Sequence, residues 1–232
     1  MKKSYLPFLV ALCALISSCS NDDNVPVNQE QTLLKSYKVS RDTNGRYSID
    51  YELVEGAHVE MEKDAATNTN KIQAFDGYSG LDNKKQSLEL ENDKIKIGVF
   101  ENSIQKNSIT VEDENIVMGK GLINPNFLQS YSVEYFQGAN YVLDFTVKEG
   151  ISVNFEYNAN ENIYEVHLKE DETASSTTFT KIYTKSPSLP LKIDFVNYIK
   201  VNNEGAKSSD LSRSIAYQTK RMPRYGDGGS IY

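Results

Sequence analysis

The sequence predicts an all-β protein in which an antiparallel β-meander module occurs twice, and three observations carry that expectation. Apolar and polar side chains alternate with a period of two over stretches such as residues 47–53. Glu-Gly pairs that suit tight turns follow two of these stretches, Glu55-Gly56 and Glu149-Gly150. The pattern then returns 94 residues later, with 12 of 42 gapless positions identical between residues 33–74 and 127–168. No apolar period of 3.6 persists beyond two turns, which removes the case for helices.

The chain of 232 residues opens with Lys2 and Lys3, an apolar stretch from Leu6 to Ile16, and then Ser17-Ser18-Cys19. This order of basic head, apolar core and small residues before a cysteine resembles the signal peptide and lipobox of bacterial lipoproteins. The apolar stretch is shorter than the roughly 20 residues of a membrane-spanning helix. The resemblance implies that residues 1–18 are a signal peptide and that Cys19 begins the mature chain, carrying a diacylglycerol on its thiol and an acyl chain on its amine. Inner-membrane retention is associated with Asp after that cysteine; Ser20 stands there instead, which implies the outer membrane. Asp22 and Asp23 are similar to the acidic tags that send some lipoproteins to the cell surface. Residues 19–32 then form a lipidated flexible tether. With Cys13 removed and Cys19 lipidated, no disulfide can form, and stability rests on burial and backbone pairing.

The first copy of the module is expected over residues 33–103. Tyr47, Ile49, Tyr51 and Leu53 share one face of a strand, and Gly56 supplies a turn. Ala57, Val59 and Met61 then alternate with polar neighbours, and further strands are expected at 70–75, 86–91 and 94–100. Residues 104–126 read as a polar connection that includes Glu112-Asp113-Glu114. The second copy, 127–200, repeats the pattern with Tyr141, Leu143, Phe145 and Val147, then Gly150, then Ile151, Val153 and Phe155. Its remaining strands are expected at 163–169, 177–184 and 190–199. Residues 201–232 are basic and rich in Gly and Ser, and read as a disordered tail. Each meander needs a cover for its apolar face, so the copies are expected to form a β-sandwich or two half-barrel sheets.

Composition narrows the chemistry. A net charge of −7 argues against a protein that tracks nucleic-acid phosphates. Two histidines, His58 and His167, both fall on polar faces, and no Ser or Cys partner at suitable spacing points to nucleophilic catalysis. The motifs of zinc proteases, serine hydrolases and P-loops are missing, so no metal, no cofactor beyond the lipid on Cys19 and no catalytic residue is assigned. Asp42-Thr43-Asn44-Gly45 begins like a calcium loop but lacks its later ligands, and a hairpin turn is expected there. A carboxylate pair that acts by its spacing in space is left open.

Aromatic residues are uneven, six over 33–100 against thirteen over 127–198. The turn Tyr135-Phe136-Gln137-Gly138-Ala139-Asn140-Tyr141 replaces the charged turn 41–47 of the first copy. Tyr135, Phe136 and Tyr141 are therefore the expected ligand-binding residues. The resulting expectation is an outer-membrane lipoprotein, on its periplasmic face or at the cell surface, that binds or scaffolds a protein or glycan without catalysis. The alternative is a carrier holding a lipid or other apolar ligand between curved sheets.

Overall fold

The computed structural model describes residues 32–77, 85–113, 127–136, 140–184, 189–200 and 217–228. The expected signal peptide, Cys19, nearly all of the expected tether, the turn residues Gln137–Ala139, and residues 201–216 and 229–232 of the expected tail lie outside them. Strands account for all the regular structure among the described residues. The first copy contributes β1 (Leu34–Arg41), β2 (Tyr47–Leu53), β3 (Ala57–Asp64), β4 (Thr69–Asp76), β5 (Gln86–Leu88), β6 (Lys94–Glu101) and β7 (Ile104–Glu112). The second contributes β8 (Leu128–Phe136), β9 (Asn140–Val147), β10 (Ile151–Asn158), β11 (Ile163–Glu170), β12 (Thr178–Thr184), β13 (Leu191–Lys200) and β14 (Tyr217–Asp227).

Two sheets result, in the orders β12-β9-β8-β1-β2-β5 and β10-β11-β13-β14-β7-β6-β4-β3. Read outward from the middle, the first gives β1-β2-β5 on one side and β8-β9-β12 on the other. The second gives β7-β6-β4-β3 and β14-β13-β11-β10. The copies therefore share one strand order. In the six-stranded sheet Val39 pairs with Val133, its own counterpart at the offset of 94, which places an approximate two-fold axis between β1 and β8.

Local irregularities repeat as well. A bulge between Leu34 and Ser36 recurs between Leu128 and Ser130. The amide of Gly77 donates to Gly56 at 3.0 Å, and that of Asp171 donates to Gly150 at 2.8 Å. Gly56 and Gly150 have φ of 84° and 75°, while Asn68 and Asn162 turn the next hairpin at 52° and 53°. These four residues recur in sequence because the left-handed backbone tolerates few others.

The meander expectation is corrected. Each copy runs β1–β2 in one sheet, β3–β4 in the other, returns for β5, and ends with β6–β7 in the second sheet. Passage through β5 makes β4 and β6 parallel neighbours, as it makes β11 and β13 through β12. Alternation reports which face of a strand is buried, but not which strand lies beside it, so this crossover left no mark in the pattern.

Two boundaries are also corrected. Residues 104–112 belong to β7, whose Ile104, Gln105 and Lys106 are exposed but whose Ile109 and Val111 are buried. More consequentially, residues 217–227 are not a tail. β14 lies in the interior of the eight-stranded sheet, between β13 and β7, with Pro223, Tyr225 and Asp227 buried. Its basic residues gave it the composition of a solvated tail, whereas Arg221 faces Glu165 of β11 and Arg224 faces Asp194 of β13.

One apolar cluster draws on both sheets. Phe195 of β13 meets Tyr131 of β8 at 5.3 Å and Phe145 of β9 at 5.4 Å between ring centres. Tyr47 and Tyr141 are buried at equivalent places, as expected; Val59 is buried but Val153 only half-buried.

Candidate functional site

The expected aromatic turn is divided by the fold. Tyr141, expected among the ligand-binding residues, points from β9 into the core and is fully buried. Tyr135 stacks on Tyr37 at 4.9 Å and tilts against Tyr141 at 5.1 Å. Burial, with Asp227 and Glu101 nearby, raises its hydroxyl pKa. Phe136 alone of the three is exposed, at 41%.

Beneath that turn lies a polar cluster that ties the sheets together. The Tyr37 hydroxyl donates to Asp227 at 2.7 Å, Tyr225 donates to the same oxygen, and Asn107 donates to Tyr37 at 2.6 Å. On the other side of the two-fold axis Tyr47 donates to Asp113 at 2.7 Å, beside Tyr131, and Arg41 pairs with the same carboxylate at 2.7 Å. Tyr37 and Tyr131 are counterparts, as are Tyr47 and Tyr141. Burial, above all, holds the hydroxyls of Tyr37, Tyr47 and Tyr131 protonated, so Tyr37 and Tyr47 act as donors to the carboxylates and Tyr131 as a donor to Tyr47.

The surface that distinguishes the copies lies at the β10–β12 end. Inward positions on β10 grow more exposed along the strand: Ile151 is buried, Val153 and Phe155 half-buried, and Tyr157 51% exposed. Tyr157 packs on Tyr164 at 4.9 Å, and Tyr164 on Tyr183 of the other sheet at 4.6 Å. Lys181 sits 5.2 Å over the Phe155 ring, and Ile182 is 65% exposed on the edge strand β12. At the corresponding places the first copy has Met61 for Phe155, Lys63 for Tyr157, Asn70 for Tyr164 and Leu88 for Tyr183. The excess of aromatics in the second copy was legible in sequence, but its clustering at this edge required knowing that β11 and β12 approach each other from different sheets.

A charged network covers the outer face of the eight-stranded sheet. Glu165 of β11 is buried there, accepting from Arg221 of β14 and from Asn158 at 3.2 Å. His167 places Nε2 3.0 Å from Glu165 and 3.5 Å from Glu156 of β10, while its Nδ1 lies 2.7 Å from the Tyr198 hydroxyl of β13. Arg224 continues the line, 3.1 Å from Asp194 and 3.8 Å from Glu112, which Lys94 approaches at 2.7 Å. Burial pushes the Glu165 carboxyl up, but Arg221, Asn158 and His167 outweigh it, and its pKa falls below the ordinary value. Asp194 goes the other way, raised by burial despite its two arginines. Burial, with Glu156 and Glu165 nearby, raises the pKa of the Tyr198 hydroxyl, which stays protonated and can pair with His167 Nδ1 in either tautomer of the imidazole.

His58 stacks on Phe75 at 5.4 Å beside Glu60, away from this network. Asp42 accepts the amides of Asn44 and Arg46 at 2.9 and 2.8 Å and closes the β1–β2 hairpin. Asp144 accepts from Thr180 across the sheet. No known family, no curated protein and no solved structure matches the chain.

Proposed function

We propose that the protein is an outer-membrane lipoprotein, anchored through acyl chains on Cys19, whose β module binds a protein or glycan without catalysis. The observation that carries the binding reading is the partly uncovered pair Phe155 and Tyr157, with the Tyr164–Tyr183 ladder, present in one copy and replaced by Met61, Lys63, Asn70 and Leu88 in the other. Exposed aromatics offer apolar area at low entropic cost and carry a polar tip, which suits recognition of sugar faces and of protein side chains alike. β10 and β12 are moreover edge strands, where backbone groups can meet a partner.

The two sheets are taken to face each other as a sandwich, a reading supported by the ring contacts of Phe195 with Tyr131 and Phe145. Fully buried Val39, Ile49, Ile97, Ile109, Leu143 and Phe195 occupy the space in which a carried lipid would have to lie, which favours the binding reading over the carrier. Anchoring is tested with Cys19→Ser, which should block acyl labelling and leave unprocessed precursor; equal labelling of both proteins would overturn it. Binding is tested with the full chain on glycan arrays and by cross-linking on intact cells. Tyr157→Ser, at a ring 51% exposed, should weaken the signals with the melting temperature close to wild type, and signals equal to wild type would contradict the site.

A further inference from the structure

We propose that Glu156, Glu165 and His167 bind a divalent transition-metal ion of the zinc type on the outer face of the eight-stranded sheet. One ligand atom from each residue lies within 4.8 Å of the others. His167 Nε2 stands 3.0 Å from Glu165 Oε2 and 3.5 Å from Glu156 Oε2. Ligand atoms bonded to one ion at about 2.1 Å stand roughly 3.0 to 3.5 Å apart, from a right-angled to a tetrahedral arrangement. An imidazole with two carboxylates is a donor set for such an ion, and three protein ligands leave a position open.

Groups outside the triad hold each ligand by its other atom. The Glu156 Oε1 accepts from Asn154 at 2.9 Å, and Glu165 Oε1 accepts from Asn158 and Arg221. His167 Nδ1 is engaged by Tyr198, whose ring also stacks on the imidazole at 5.5 Å. The three remaining atoms, Oε2, Oε2 and Nε2, are thereby turned toward one point. Outer partners on the far atom of each ligand are what orient a metal site. Arg221 sits on Glu165 Oε1, the oxygen that would not ligate, and leaves Oε2 to face His167. In the first copy Glu62 persists, but Lys71 stands at the position of Glu165 and Gln73 at that of His167, so the donor set arose on one side of the two-fold axis.

The inference does not depend on the anchoring or binding proposals, and its test reads only the site. The chain has two histidines, so ring resonances in an NMR titration with zinc chloride report His167 and His58 separately. The expected result on the full chain is a saturating shift of the His167 resonances at one ion, with His58 unmoved. Glu156 is exposed, and Glu156→Gln should lower the affinity tenfold or more while leaving the metal-free melting temperature unchanged. Tyr198→Phe should lower it by about tenfold to a hundredfold, as loss of an outer partner does. The proposal is overturned if His167 fails to respond at millimolar zinc, if both histidines respond alike, or if Glu156→Gln binds as wild type does.

Discussion

Gly56 and Gly150 turn the chain at φ of 84° and 75°. A Cβ at Gly150 would meet only the Asp171 carbonyl at 3.9 Å, an ordinary contact, so the cost of a side chain there lies in the backbone. Gly150→Val should therefore cost about 1 kcal/mol or more in urea unfolding. Gly56→Val should cost a similar amount, because the turn is the same. A different term governs Arg41 and Asp113, whose side chains are each 10% exposed. Arg41→Met leaves the Asp113 carboxylate buried with the Tyr47 hydroxyl but no guanidinium, and removal of one partner from a buried pair costs about 3–5 kcal/mol. Adding Asp113→Asn should restore much of that loss in a double-mutant cycle. The recurrence of Gly, Asn and Tyr in the two copies announced such residues in the sequence. Arg41 was legible only as a charged turn residue, since its partner lies 72 positions away.

At the scale of elements, β14 separates what composition implies from what pairing does. Ending the chain after residue 203 removes Tyr225 and Asp227 from the core and separates β13 from β7. Such a chain should lose its cooperative thermal transition; a truncated protein that melts near wild type would contradict the placement of β14. The β3–β4 hairpin offers a pH test. Lys71 and the amides of Thr67 and Ala66 lower the Asp64 pKa from 3.8 to about 2. A carboxyl depressed in the folded state stabilises above its unfolded pKa, and the contribution is lost as pH falls through the folded one. The stability difference between wild type and Lys71→Met should thus be present at neutral pH and shrink between about pH 4 and pH 2. Strands β3, β4, β10 and β11 could be read from alternation because each buries one face. β7 and β14 could not, because their polar residues serve neighbours that sequence does not identify.

Over the whole molecule the copies are interlocked. Each sheet takes strands from both, and β1–β8 and β7–β14 join them by backbone pairing through the middle of the sheets. Tyr37 of the first copy reaches Asp227 of the second, and Tyr131 of the second reaches Tyr47 of the first. The duplication was visible in the sequence, but it reads there as two modules in series. The most direct test expresses residues 32–113 and 127–228 as separate chains and follows each by analytical ultracentrifugation and thermal circular dichroism. The account predicts that neither half is a folded monomer, that each is unfolded or self-associated about the two-fold axis, and that mixing them gives a one-to-one complex with a cooperative transition. A half that sediments as a monomer and melts cooperatively would contradict it.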